Sequence, residues 1–320
     1  MEYNKKFSEA LLHLVQRINN FDFYGAFKRL GCIPFYIDGK RVGIISPEVF
    51  KELETYPDVF KVVETSPNNH NHVKYMNMVH KAVYLDERFT TPEDKTEAFN
   101  KVLLDMREKD KFFSLRGWRN ETYGVYFRKK DPPLCHVERS GCALFGFIQY
   151  GVHINGYTYR DGKMMMWVGR RSPTKPTYPN MLDNMCAGGL ASGLGILECA
   201  RKECEEEACV DDETLQRLTP AGTISYCYKD KRGILPETEF VYDLEVSPDF
   251  VPKSGDGEMS MFYQLTMEEV QQKIIAEEFK PNCALVIVDF MVRHGLLTPD
   301  EEPYYSYIIE RMHVNIQPPL

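Results

Sequence analysis

The chain has 320 residues, a net charge of −8, 43% hydrophobic and 27% charged residues. At ~100–200 residues per domain, this length predicts two globular domains, each able to bury a core without disulfide support. The negative balance excludes a nucleic acid as the main ligand, since no block of Lys and Arg offsets it; the densest basic run, Arg128 to Lys130, reads as a solvated linker.

Nine cysteines, none in C-x-x-C spacing, read as the thiols of a reduced intracellular protein. Met1 to Phe21 is amphipathic and carries Glu2 and Glu9, with neither the apolar segment of a secretory signal nor the Arg/Ser-rich character of a transit peptide. No apolar run approaches the ~20 residues that span a bilayer. The expected location is cytoplasmic, away from membranes.

Leu11, Leu12, Leu14, Val15 and Ile18 fall at helical spacing, so a helix opens the chain. Ile33–Ile37, Asp38-Gly39 and Val42–Ile45 predict a hairpin. Ser46-Pro47 and Thr91-Pro92 read as helix starts, with the hydroxyl residue at the N-cap and proline at the first helical position. His70 and His72 lie in a polar stretch and read as solvated. The charged, proline-bearing stretch Arg128–Arg139 is the expected boundary between an accessory domain, 1–130, and a second domain, 131–320. Beyond it, Ala143–Tyr159 reads as extended structure and Met164–Val168 as a strand whose methionines fill core. His153 is expected to be a satisfied core or edge histidine. A basic loop, Gly169–Pro179, then leads to Gly188-Gly189 and a helix. Strands are expected at Gly222–Tyr228 and Phe240–Val246, and helices at Met267–Glu278, Leu285–Arg293 and Tyr304–Met312.

The helix through Arg201–Cys209 holds the chemistry. At about 100° per residue, Leu197, Ala200, Cys204 and Ala208 form an apolar stripe suited to packing on a sheet, while Glu203, Glu206 and Glu207 share a neighbouring stripe. Like charges at i,i+3 and i,i+4 repel. A divalent cation reverses that cost, because hard cations take carboxylate oxygens. Glu198 and Glu205 lie away from the three and read as solvated. Arg170, Arg171 and Lys175 would put positive charge beside such a site.

This segment resembles the Nudix box, G-x5-E-x7-R-E-U-x-E-E-x-G-U, with U aliphatic. Gly188 takes the first glycine, Lys202 the arginine, Glu203 the next glutamate, Cys204 the aliphatic position and Glu206-Glu207 the acidic pair. Cys209 stands where the box has its last glycine, and Leu194 where it has its first glutamate; Glu198, or a loop one residue shorter, could cover that loss. The resemblance implies an α/β fold, an α/β/α sandwich around a mixed sheet, here preceded by a small α+β domain. It implies Mg²⁺ or Mn²⁺ held by Glu203, Glu206 and Glu207. It also implies a further ligand or base on a loop beyond the box, a place that Glu258 in Ser254-Gly-Asp-Gly-Glu258 fits. Arg171, Lys175, Gly188 and Gly189 would bind substrate.

Gly169–Pro179 also resembles an element of type 1 isopentenyl diphosphate isomerases, but Cys186 follows it without the histidine that those enzymes use. Phe145–Gly156, Tyr178–Asn184 and Asp289–Gly295 are similar to a eukaryotic-type Nudix subfamily labelled thiamin pyrophosphokinase-related, whose members carry an extra N-terminal domain. That resemblance implies hydrolysis of thiamin diphosphate-like compounds, oxythiamin and oxothiamin diphosphates above all, to the monophosphate. The expected partner is a small diphosphate substrate, with the protein a monomer or homodimer. Two other readings stay open. One is a module that binds a diphosphate ligand without turnover, favoured by Leu194; the other is a hydrolase of a nucleoside diphosphate derivative or coenzyme A.

Overall fold

The computed structural model describes residues 2–23, 25–64 and 81–317, so His70 and His72 lie outside the described residues. The chain opens with α1 (Glu2–Ile18) and the short α2 (Ala26–Arg29). A first unit follows: β1 (Ile33–Ile37), β2 (Lys40–Ile45), α3 (Pro47–Leu53), β3 (Phe60–Glu64), β4 (Lys81–Leu85), α4 (Pro92–Glu108), β5 (Thr122–Val125), β6 (Cys135–Glu138) and α5 (Arg139–Phe145). Its four-stranded sheet runs β2-β1-β4-β3, and β5 and β6 make a separate ribbon. The hairpin forms where the sequence puts Asp38-Gly39, both left-handed at φ 51° and 71°, as a two-residue turn between twisted strands requires. Both expected caps are present: Ser46 Oγ accepts from the Val49 amide, and Thr91 and Asp94 close a reciprocal capping box.

The second unit comprises β7 (Gln149–Arg160), β8 (Lys163–Arg171), β9 (Leu182–Asp183), β10 (Cys186–Gly189), α6 (Ile196–Ala208), α7 (Asp212–Leu215), β11 (Thr219–Asp230), β12 (Gly233–Glu245), β13 (Met259–Thr266), α8 (Met267–Ile275), α9 (Pro281–Arg293) and α10 (Tyr305–Met312). Its sheet runs β11-β12-β7-β8-β13, with β10 paired to β7 and β9 to β8. It is mixed, because β12 lies parallel to β7 while β8 and β10 are antiparallel to it. Side chains alternate across the strands. Val152, Ile154, Tyr242 and Leu244 pack under Cys199, Ala200, Cys204 and Ala208 of α6. On the other face Val168, Ile224, Tyr226 and Val241 pack with α8, α9, α10 and α1. The result is the expected α/β/α sandwich with a smaller α+β unit before it.

Three details differ from the sequence reading. Residues Ala143–Phe145, expected to be extended, are the last turn of helix α5, which stops at Gly146, left-handed at φ 56°. The stretch with Pro132-Pro133 connects β5 to β6 within one ribbon, so the first core runs on past it. Phe145 and Phe147 both enter that core; the Phe145 ring lies 5.1 Å from Phe35 and 5.0 Å from Phe99. Helix α1, although first in the chain, buries Phe7, Leu11, Val15 and Ile18 against the second unit.

None of the nine cysteines is bridged, and no helix among the described residues is long and apolar enough to cross a membrane. Leu11 is fully buried in the second unit's core. Leu11→Ala should therefore lower the unfolding free energy by about 2–5 kcal/mol, as for other buried leucines. A urea titration followed by tryptophan fluorescence measures this, and an unchanged midpoint would show that α1 does not hold the sheet.

Candidate functional site

Helix α6 starts at Gly195, whose amide donates to Glu198 Oε2 at 3.1 Å. Glu198 thus closes the helix N-terminus. Leu194 packs at the edge of the apolar cluster under α6. At the other end Cys209 takes the left-handed conformation, φ 52°, where the box motif has glycine.

The apolar stripe of α6 on the sheet turns its acidic stripe toward β10 and the loop before β13. Glu207 is 1% exposed, and its Oε2 accepts from the Ala187 amide at 2.8 Å. Burial pushes its carboxyl well above the usual range, and Asp183, Glu203 and Glu258 reinforce the shift against the Ala187 hydrogen bond. Glu258 is held low: burial opposes its charge, but Lys175 and a hydrogen bond with Glu207 prevail. One oxygen each of Glu207, Asp256 and Glu258 can be chosen so that all three lie within 4.8 Å of one another. Asp256 Oδ1 also accepts from the Glu258 amide at 2.8 Å, which fixes the loop.

Glu203 lies beside this trio. Its carboxyl is pushed up to about 7 by burial, with Glu206, Glu258 and Asp256 adding to the shift and Lys202 opposing it. It occupies the space a side chain at residue 188 would need: a Cβ on Gly188 would sit 2.1 Å from Glu203 Cδ. The loop approaches α6 just as closely, since a Cβ on Gly255 would be 2.3 Å from the Glu206 carbonyl oxygen. Glu206 itself turns outward and takes Lys202 Nζ at 2.8 Å. Of the four predicted acidic residues, the structure therefore converges Glu207 and Glu258, adds Asp256, sets Glu203 alongside and leaves Glu206 in solvent.

The predicted phosphate-binding cations are already bonded. Lys175 lies on Glu258. Arg171 is 7% exposed; its guanidinium donates to Asp183 Oδ2 at 2.6 Å and to the carbonyls of Tyr178 and Thr177 at 3.0 Å each. Arg171 thus fixes the loop and Asp183 rather than offering an open fork. Burial would raise the Asp183 carboxyl, but Lys280 and Arg171 bring it down to about 2. Next to Asp183, Cys283 Sγ donates to its Oδ1, and His153 meets Asn184 Oδ1 at 2.7 Å and Glu239 at 3.7 Å. His153 is a satisfied core histidine, as its strand position suggested. The buried Asp183, Asn184, Glu239 and Asn282 were missed in the sequence because single polar residues in strands and turns carry no spacing signal. Asp256 did have one, sharing the glycine-flanked loop with Glu258.

A carboxyl raised in the folded state holds its proton more tightly there than in the unfolded chain. Its stabilising contribution is fully present below the unfolded value, about 4.5, and is lost as pH rises through about 7. The metal-free protein should therefore lose stability across that window, and Glu203→Gln should reduce the slope. Denaturant melts in EDTA across the window test this; equal slopes would show that Glu203 does not titrate there.

Two family models match end to end: "Domain of unknown function (DUF4743)" over residues 10–149 and "NUDIX domain" over 150–283. The chain is 35% identical to Nudix hydrolase 20, chloroplastic, of Arabidopsis thaliana, over 95% of this chain and 78% of that protein. It is 33% identical to an uncharacterized protein of Saccharomyces cerevisiae, over 95% of this chain and 90% of that one. A crystal structure of a Deinococcus radiodurans protein superposes with TM-score 0.40 at 23% identity, covering 53% of this chain and 99% of that one. With the carboxylate helix, its preceding glycines and these relatives in view, the chain belongs to the Nudix hydrolase family and is a diphosphate hydrolase carrying an N-terminal DUF4743 unit.

Proposed function

We propose that this chain hydrolyses a thiamin diphosphate-like compound, oxythiamin or oxothiamin diphosphate above all, to the monophosphate and inorganic phosphate, with Mg²⁺ or Mn²⁺ at the carboxylates of α6 and the 254–258 loop. The observation that carries the hydrolytic reading is the convergence of Glu207, Asp256 and Glu258. A carboxylate as buried as Glu207 ionises only with compensation, and two further carboxylates facing it make matters worse unless a cation joins them. An all-oxygen donor set suits a hard divalent ion.

Glu203, Glu207, Asp256 and Glu258 would hold that ion, with Glu206 included on its place in the box. A divalent ion bound there neutralises diphosphate oxygens and acidifies a water. Lys175, on Glu258, steadies the diphosphate from the side. Water attacks the terminal phosphorus and a glutamate of the set takes its proton. The bond from that phosphorus to the bridging oxygen breaks, and the monophosphate ester leaves. The thiamin-type substrate rests on the likeness of Phe145–Gly156, Tyr178–Asn184 and Asp289–Gly295 to the thiamin pyrophosphokinase-related subfamily. Leu194 does not count strongly toward a non-catalytic module, since Glu198 supplies a hydrogen bond at the start of α6.

With Mg²⁺ present, cleavage followed by chromatography of the products should be fastest for oxythiamin diphosphate, then thiamin diphosphate, with ADP-ribose and coenzyme A behind, and Glu207→Gln should bring cleavage to background. Cleavage of ADP-ribose or coenzyme A alone, each into two phosphate monoesters, would replace the substrate class. Ligand binding with no cleavage of any of the four would favour the sensing module. Gly188→Ala displaces the Glu203 carboxyl while leaving the backbone room, so turnover should fall by up to about a hundredfold, as small misplacements cost. The thermal midpoint should move little, and wild-type turnover in that variant would remove Glu203 from the machinery.

A further inference from the structure

The carboxylates of α6 and the 254–258 loop are not the only group of potential metal ligands. His153 of β7, Asp183 of β9 and Cys283 in the first turn of α9 are 3%, 1% and 0% exposed, and one ligand atom of each lies within 4.8 Å of the other two. Three segments far apart in sequence meet there, and the hydrolytic mechanism uses none of the three side chains as a ligand.

Two of them have one atom held from outside. His153 Nδ1 meets Asn184 Oδ1 at 2.7 Å, and Asn184 Nδ2 donates to Asn155 Oδ1 at 3.1 Å, which fixes the amide and makes Nδ1 the donor. Nε2 is then the ring nitrogen left for a metal. Arg171 holds Asp183 Oδ2 at 2.6 Å, while Oδ1 takes the Asn184 amide at 2.9 Å and faces Cys283. Histidines and carboxylates that bind metals have outer partners of this kind, which orient them. The Cys283 sulfur lies 2.7 Å from Asp183 Oδ1, the spacing of two hydrogen-bonded oxygens and tight for a sulfur. Ligand atoms around a tetrahedral Zn²⁺ stand about 3.5 Å apart, so shifts of about an ångström bring the three into range. Asn282 Oδ1, 3.5 Å from the sulfur, is placed for the fourth position.

We propose that His153, Asp183 and Cys283, with Asn282 as fourth ligand, bind one Zn²⁺ ion as a structural centre separate from the hydrolytic metal site. A thiolate and an imidazole beside a single carboxylate suit Zn²⁺, whereas Mg²⁺ and Mn²⁺ take sets rich in oxygen. The thiolate and the Asp183 carboxylate balance the charge of the ion, and Glu239 lies beside Lys280 at the same place. The ion would pin the start of α9 to β7 and β9, three residues before Cys186 opens β10. Because all three side chains are buried, it enters as the chain folds. The inference stands whether or not the chain hydrolyses a diphosphate.

The test uses the full, tag-free chain from cells grown with Zn²⁺ or Co²⁺ in the medium, passed through gel filtration in excess Mg²⁺. Elemental analysis should find one Zn²⁺ or Co²⁺ per chain. The Co²⁺ form should show the near-ultraviolet charge-transfer band of a cobalt–thiolate bond, which an all-oxygen site does not give. Cys283→Ser should lose that band and His153→Gln should lose the ion, with circular dichroism reporting that each variant is folded. Glu207→Gln should keep both the ion and the band. X-ray absorption at the zinc edge of the wild type needs no variant and should show one sulfur at about 2.3 Å with nitrogen and oxygen neighbours. A wild type without Zn²⁺ or Co²⁺, a zinc edge without sulfur, a band that persists in Cys283→Ser, or an ion lost in Glu207→Gln overturns the proposal.

Discussion

The site is organised around one uncomfortable group, the buried carboxyl of Glu207 against the Ala187 amide. A helix could place that carboxyl in solvent at no cost. Here α6 is pressed onto the sheet by Cys199, Ala200, Cys204 and Ala208, all small and all buried, and that close approach drives Glu207 inward. Small residues on this stripe are what bring the helix near enough to β10 for the hydrogen bond. Carboxylates gathered in this way burden the fold unless positive charge compensates them. The fold offsets the burden with Lys175 on Glu258, and Arg171 and Lys280 near Asp183.

Much of this was legible in the residues because it depends on local chemistry. Asp38-Gly39 announces a hairpin since few other pairs tolerate two left-handed residues, and Ser46 and Thr91 announce helices by capping them. The box helix was legible because three glutamates at helical spacing are otherwise unfavourable. Other features depend on partners distant in sequence. Ala143, Leu144 and Phe145 are a short apolar run with neither alternation nor length to separate strand from helix; their burial, with Phe145 against Phe35 and Phe99, decides it. Arg171 looked like a ligand-binding cation because a sequence shows a charge but not what already neutralises it, here Asp183 and two carbonyls. Glu206 and Glu207 are indistinguishable neighbours in the motif, yet a turn of about 100° between them puts one in solvent and the other in the core.

Beneath the carboxylates, the face of the sheet opposite α6 is unusually polar for a core. His153, Asn155, Asp183, Asn184, Glu239 and Asn282 are all buried there. Nearly all of the connections are side chain to side chain: Asn184 to His153 and Asn155, Asn155 to Asp243, Tyr226 to Glu239. Such a network fixes the positions of its members because each group left unpaired would cost free energy. It joins directly to the site through Asp183 and Arg171, so the residues that steady the loop at Thr177 and Tyr178 are themselves anchored in the interior.

The placement of α1 bears on how the protein is made. Family models divide the chain between residues 149 and 150, but the first helix belongs by packing to the later part. During synthesis α1 leaves the ribosome well before β11, α8, α9 and α10, the elements it covers. Its apolar stripe must wait while the unit from β1 to Phe147 is formed, and exposed apolar surface in the meantime invites aggregation or chaperone binding. The same wiring means that a fragment cut at residue 150 would carry the carboxylate helix but would lack α1, exposing the apolar surface of β11, α8, α9 and α10 that α1 covers. The recognisable domain and the unit that can fold are not the same stretch of chain.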